Sequence, residues 1–326
     1  MNSSLNITLI FTAYGSPQSL NYLFFTFTLL VYLTSVFANS FLMLVIYVES
    51  SLHKPMYIFL FNLAINGLIG SSTVWPKIMD NLLSDTQESS LEDCLIQVFW
   101  TNFYGGSAYS ILTVMAYDRY VSICKPLQYH SIMTPTKVKQ LLTVAYIFPV
   151  LCLSIQVYLT SRLPLCSYTI HKLFCDNLAV VNLSCIKSNL VNLYGLCIIV
   201  ALMVFPVCVV LLSYVRILLV SLKTSKEAQK KALSTCTPHL ITFINFSLAS
   251  LFSVIYNRFS LYLPSEINVF MSVHFVLVPP LLHPIIYGIR TQEIRKCIVK
   301  MIRKRRVFGG SLDFFTFRSL ALGNMH

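Results

Sequence analysis

MAYDRYVSICKPLQYHSIMT, residues 115–134, sets an acid and a base side by side, Asp118 and Arg119, at the end of a long apolar run. What such a pair can do depends on the solvent around it, and composition speaks to that first. Of 326 residues, 56% are hydrophobic and 11% charged, where a soluble globular chain carries roughly 25% charged residues. Outward from Asp118, apolar segments near the length of about 20 residues that crosses a bilayer are read at 22–48, 56–83, 95–117, 140–160, 190–220, 236–261 and 267–289. Backbone N–H and C=O groups in lipid must be satisfied within their own segment, so each is expected to be a helix. The predicted fold is an all-α membrane protein. It comprises a short extracellular glycosylated segment (1–21), a seven-transmembrane helix bundle (22–290), and a short amphipathic cytoplasmic helix with a basic tail (291–326). What lies outside the spans is too short for a soluble domain, and the chain has no internal repeat or low-complexity tract.

Charge orients the bundle. Lys77, Arg162, Lys172, Lys187 and Arg258 are the only five of the 24 basic residues on one side of the spans; the other nineteen lie opposite. Basic residues accumulate on the cytoplasmic side, so the amino terminus is expected outside and the carboxyl terminus inside. The net charge of +12 is therefore topological and gives no reason to expect a nucleic-acid partner. MNSSLNITLIFTAYGSPQS lacks the basic region of a cleaved secretory signal, so the first span is expected to be an uncleaved anchor. The glycosylation sequons at Asn2, Asn6 and Asn182 fall on the outer side, whereas that at Asn245 lies inside a span and should stay unmodified.

The ten cysteines divide by compartment. Cys124, Cys152, Cys197, Cys208, Cys236 and Cys297 sit in spans or on the cytoplasmic side, where thiols stay reduced. Cys94, Cys166, Cys175 and Cys185 face outward; unless all four are free thiols, which the oxidising side disfavours, they allow three pairings that spacing cannot choose among. Cys94 opens the third span and the other three share the loop 161–189, so at least one bridge ties that loop to the helix.

Arg119 at a span's cytoplasmic end is either a snorkelling anchor or part of a functional ion pair. Four motifs in order bear on the choice: PMYIFLFNLA from 55, MAYDRYVSICKPLQYHSIM from 115, KALSTCTPHL from 231 and PPLLHPIIYGIR from 279. Over about 22–305 the chain resembles odorant receptors, a branch of rhodopsin-like G-protein-coupled receptors, with NLAINGLIG closer to the fish type than to the mammalian. The resemblance implies an odorant receptor that binds a small organic molecule in the outer half of the bundle. It would activate a heterotrimeric G protein of the stimulatory, cAMP-raising type, in the plasma membrane of olfactory sensory neuron cilia. It further implies that Asp118 restrains Arg119 at rest, within the Asp118–Arg119–Tyr120 triplet, and releases it toward the cleft that receives the G protein's carboxyl-terminal helix. Tyr214 and Tyr287 resemble the tyrosines that repack around that arginine. By the same resemblance Cys94 pairs with Cys175, leaving Cys166 with Cys185. Three positions depart from the rhodopsin-like pattern. Gly67 stands where an aspartate is common, Ala108 where a glutamate is frequent, and His283 where asparagine is usual, so a sodium-binding polar centre is not expected in its usual form.

The ligand face is read from helical spacing. Val98, Thr101, Asn102, Gly105 and Gly106 recur every three to four residues on the outer half of the third span, facing the outer parts of the fifth and sixth spans, where Val254 and Arg258 lie. A mostly apolar cavity with few polar anchors suits a small organic ligand. Arg258 could offer a two-pronged donor to an acidic or strongly accepting odorant, or could snorkel to water or pair with Glu266. Beyond the seventh span, Ile294, Ile298, Met301 and Ile302 share one helical face opposite basic residues, as in a helix lying on an anionic inner leaflet. Cys297 in that helix is a palmitoylation candidate or a buried thiol.

Other classes fit less well. A retinal protein needs a lysine within 267–289, which has none, and an intramembrane aspartyl protease needs a second span aspartate to partner Asp118. A channel or transporter would carry charged pathway residues or broken-helix repeats. An amine receptor wants an acid where Thr101 and Asn102 stand. No catalytic residue, metal ligand or cofactor is expected. A rhodopsin-like receptor for another small ligand is the nearest alternative.

Overall fold

A computed structural model describes residues 7–14, 19–259 and 265–301. Among them are seven long helices: Ser19–Val48, Pro55–Leu83, Leu91–Cys124, Pro135–Ser161, Asn189–Ser221, Lys226–Phe259 and Ser265–Arg290. Local chemistry sets several of their ends. Ser90 caps the third helix by accepting from the Asp93 N–H, with Glu92 and Asp93 in the first turn where the helix dipole favours acids. Thr134 caps the fourth in the same way, ahead of Pro135, and Pro55 opens the second, where a missing N–H is harmless. Within the fifth helix, Val200–Val204 widens to a π-turn just before Pro206. Pro206 cannot donate to the carbonyl of Leu202, and a wider turn accommodates that missing bond.

The first helix packs on the second and seventh, and the seventh on the second and sixth; the third contacts the second, fourth, fifth and sixth and so runs through the centre. Among the described residues, five of these helices are long and apolar enough to cross a membrane. The third is less apolar because its inward face carries Gln97, Thr101, Ser107 and Asp118, all buried. Outward, Val144, Ile147, Phe148, Leu151 and Ile155 on the fourth helix are exposed at spacings of three and four. An apolar stripe turned away from the core belongs against lipid.

One end of the bundle carries a small sheet that the sequence reading did not include. Strand β1 (Thr8–Phe11) lies between β2 (Glu88–Ser90), antiparallel with Thr8 opposite Ser90, and β3 (Thr169–Ile170), parallel with Ile10 beside Thr169. Leu9 and Phe11 are buried and share one core cluster with Trp75, Ile78 and Val98. Two disulfides hold the same end: Cys94–Cys175 ties the long loop to the third helix, and Cys166–Cys185 closes the loop on itself.

At the other end, residues 292–301 form a helix that folds back against the turn between the first two spans. Glu293 accepts from Tyr57 at 2.9 Å and Lys54 at 3.3 Å, and Lys300 pairs with Glu49 at 3.0 Å. Burial pushes the Glu293 carboxyl up, but the bonds from Tyr57 and Lys54 and the charges of Lys54 and Lys296 outweigh it, and its pKa ends below the ordinary value. Ile294 and Cys297 are buried, and Ile298 and Met301 pack against the same core. The apolar stripe that the sequence offers to lipid is here largely turned into the bundle, and Cys297 is a buried thiol. Ile302 lies outside the described residues.

Candidate functional site

The third helix carries chemistry at both ends. At the end away from the disulfides, the Asp118 side chain has 0% exposure and that of Arg119 13%. Arg119 folds back on its own helix and donates from Nη2 (2.5 Å) and Nε (3.2 Å) to Asp118 Oδ2. The other carboxylate oxygen accepts from the Tyr129 hydroxyl at 2.8 Å. Tyr129 opens a one-turn helix, Tyr129–Ile132, between Pro126 and Pro135, so two prolines hold the loop that presents it. Burial first, and then the Asp118 carboxylate, raise the Tyr129 pKa and keep it a donor. The carboxylate is thus satisfied on both oxygens, which a buried charge requires.

Tyr120, half-buried, packs against the central core. Tyr214 does not reach Arg119 by a hydrogen bond; its hydroxyl bonds His239 Nδ1 at 2.6 Å, and His239 Nε2 bonds the Leu112 carbonyl at 2.9 Å. A carbonyl only accepts, so Nε2 carries the proton and Nδ1 accepts from Tyr214. One buried imidazole therefore joins the third, fifth and sixth helices. Tyr287 is buried, and its hydroxyl has no hydrogen-bond partner among the described residues.

Midway along the bundle, the departures at 67 and 283 acquire neighbours. Asn39 Nδ2 donates to the Ser35 carbonyl at 2.8 Å and to the Pro280 carbonyl at 2.9 Å. A Cβ on Gly67 would lie 2.9 Å from Asn39 Oδ1, and one on Gly70 would lie 2.5 Å from the Tyr104 ring. Asn66 donates to the Tyr104 carbonyl at 2.9 Å and accepts from Ser107 at 2.7 Å. Ala108 is fully buried, and His283 is buried with its ring against Phe246.

Toward the disulfide end the third, fourth, fifth and sixth helices part around a cavity of about 210 Å³. Of the residues read from the sequence, Thr101, Asn102, Gly105, Gly106 and Val254 line it. Gly106 permits the narrowing there: a Cβ would stand 3.0 Å from Leu202 and 3.3 Å from Pro149. Val98 is not in this wall. It is fully buried one turn from Cys94, in the cluster with Cys175, Phe174 and Trp75, because the loop pinned by the disulfide fills the space above the cavity. The Arg258 side chain, like Glu266, lies outside the described residues. Tyr109, Gln156, Asn177, Asn192 and Ser250 also line the cavity and were not picked out from the sequence. Asn177 reaches the wall from the loop, where its Oδ1 accepts from Thr160 at 2.9 Å. Asn182 is exposed just beyond the one-turn helix Asn177–Val181 of that loop, and Asn2 and Asn6 lie outside the described residues.

Comparison with known proteins places this geometry. A family model described as "Olfactory receptor" matches residues 27–305. Human olfactory receptor 52J3 is 34% identical over 277 residues, covering 84% of this chain and 89% of that protein. Human olfactory receptor 5K3 is 33% identical over 306 residues, covering 94% of each. Squid rhodopsin superposes with a TM-score of 0.71 at 14% identity, over 93% of this chain and 91% of the other, a likeness of fold alone.

Proposed function

Because the chain belongs to the olfactory receptor family, a family of odorant-binding G-protein-coupled receptors and not of enzymes, we propose that its cavity is the odorant site and the Asp118–Arg119–Tyr129 cluster its G-protein switch. As a multi-pass plasma-membrane protein it would expose the disulfide end outside, with the amino terminus of segment 1–21. The Arg119 end and segment 291–326 would lie in the cytoplasm. The observation that carries the reading is continuity: one unbroken helix, Leu91–Cys124, holds cavity residues Thr101 to Tyr109 and then the ion pair. Nine residues separate Tyr109 from Asp118, about 13 Å at 1.5 Å per residue.

Ligand and G protein then act on one two-state bundle. In the resting state Asp118 and Tyr129 hold Arg119 against its own helix, and His239 holds Tyr214 away from it. A ligand that favours the alternative packing of the third, fifth and sixth helices frees Arg119, with Tyr214 and Tyr287 repacking around it as the G protein's terminal helix enters. The G protein is of the stimulatory class, and the site of action is the cilia of olfactory sensory neurons. Cys94–Cys175 fixes the loop that supplies Asn177, and glycans at Asn2, Asn6 and Asn182 decorate the outer side.

The test is a cAMP reporter in transfected cells, screened with odorants of several chemical classes against wild type and Arg119→Ala at matched surface density. Ligand responses present in wild type and absent in the variant support the reading. An equal response from surface-delivered Arg119→Ala refutes the switch.

A further inference from the structure

The cavity has a chemical bias. Its described wall contains no charged side chain, and its polar residues are amides, hydroxyls and one phenol. Two of them line it from neighbouring helices, Thr101 on the third and Gln156 on the fourth. Pro149 stands beside Gly106, and the third and fourth helices run in opposite senses. Advancing seven residues from Pro149 therefore lifts Gln156 about 10 Å, toward the level of Thr101. Both side chains are more than nine-tenths buried. Thr101 Oγ1 and Gln156 Oε1 are both buried with no hydrogen-bond partner among the described residues. Apolar side chains, Leu153, Ile199, Leu202 and Phe275 among them, form much of the remaining wall.

Resting on the odorant-site reading, we propose that the ligand is an uncharged molecule of six to eight heavy atoms. It would carry one hydroxyl or carboxamide head that pairs with Gln156 and Thr101 and an aliphatic body that fills the apolar wall. Size follows from volume: 210 Å³ is the liquid share of roughly seven waters at about 30 Å³ each. Head chemistry follows from the orphan groups. Gln156 Oε1 needs a donor, and a threonine hydroxyl gives or takes one hydrogen bond. A ligand hydroxyl or amide both donates and accepts, so it satisfies either orientation of the glutamine amide. With Oε1 toward the ligand a carboxylate cannot donate to Gln156, and in either orientation no cation in the described wall compensates its desolvation. An alkane leaves both orphans unpaired.

Arg258, the other candidate anchor, would instead select acids, and one experiment separates the two. Cells expressing the full chain and a cAMP reporter are given 1-hexanol, hexanamide, hexanoate at neutral pH, and heptane. The expected result is activation by the alcohol and the amide at concentrations at least tenfold below those at which hexanoate or heptane act, if they act at all. Gln156→Leu should weaken 1-hexanol about tenfold to a hundredfold, the usual range for a buried hydrogen bond left unmade, and narrow its gap to heptane. Thr101→Val gives a second reading should Gln156→Leu fail to reach the surface, with delivery scored by antibody staining. A preference for hexanoate, unchanged 1-hexanol potency in both surface-delivered variants, or silence to the whole panel overturns the ligand class. Basal cAMP above mock cells that falls in Arg119→Ala is read in the same plates. It shows whether the receptor reading stands when the ligand class does not.

Discussion

Tyr129→Phe removes a single oxygen from the proposed resting lock and leaves the ring in place. That hydroxyl is the sole described donor to Asp118 Oδ1, at 2.8 Å, while Arg119 occupies Oδ2. A hydrogen bond to a charged group contributes about 1.5–3 kcal/mol, and every 1.4 kcal/mol is about tenfold in an equilibrium. The bond biases the receptor only so far as activation breaks it; the lower figure therefore sets the expectation. With a minor active state near 1%, inside the usual range of about 0.1–10%, a shift of about 1.5 kcal/mol raises it to roughly 10%. Ligand-free cAMP per surface receptor should rise several-fold, and the half-maximal ligand concentration should fall. The ring of Tyr129 packs against the core, so the phenylalanine keeps that packing and surface delivery should be near normal. The assay is basal cAMP against receptor density, with Arg119→Ala as the floor. Basal signalling equal to or below wild type, at equal density, refutes the idea that Tyr129 restrains the switch.

Arg119→Ala should lose G-protein signalling while keeping most surface delivery; full signalling would remove Arg119 from the switch. Cys94→Ser and Cys175→Ser should each lose about 2–5 kcal/mol, the usual effect of deleting a native disulfide, and be retained inside the cell. Non-reducing peptide mapping that joined Cys94 to Cys166 or Cys185 would contradict the pairing. Gly70→Ala forces a methyl to within 2.5 Å of the Tyr104 ring and should destabilise by about 1–3 kcal/mol, read as reduced thermal survival of detergent-solubilised receptor. An unchanged melting temperature would mean that the buried ring yields freely.

The seven spans were legible because lipid imposes one solution on any long apolar segment, but their ends were not. Apolarity stops near residue 117, whereas the third helix continues to Cys124, since Asp118 and Arg119 satisfy each other without leaving it. The sixth begins at Lys226, ten residues before its apolar run, because a charged helix persists outside lipid. At the cavity, helical spacing puts Thr101, Asn102, Gly105 and Gly106 on one face, and all four line it, yet Val98 shares their angle and not their depth. What depth each position occupies depends on the disulfide-bound loop, a tertiary fact. Gln156 and Asn177 were invisible for the same reason, since they come to the wall from another helix and a loop 17 residues beyond Thr160. His239 and Tyr129 stood inside quoted motifs, at KALSTCTPHL and MAYDRYVSICKPLQYHSIM, but only folding shows which carbonyl or carboxylate each one meets. The four-residue strand β1 had no signal of its own, because its two partners come from distant loops.

The altered centre of the bundle follows one logic once proline is considered. Pro284 has no N–H, so the helical bond it would give the Pro280 carbonyl cannot form, and in a bilayer that carbonyl must find a donor elsewhere. Asn39 supplies it from the first helix at 2.9 Å, using its other N–H on Ser35. An amide in that position needs room, and Gly67 gives it: even a methyl there would press within 2.9 Å of Asn39 Oδ1, and an aspartate would meet it more closely still. With Ala108 in place of a glutamate, and His283 beside Phe246 in place of an asparagine, this centre binds the first and seventh helices through neutral hydrogen bonds. The sole buried ion pair among the spans' described residues is then Asp118–Arg119. Under the proposed switch, the electrostatic work of holding the resting state would then fall on the end of the third helix, where Tyr129 bonds Asp118.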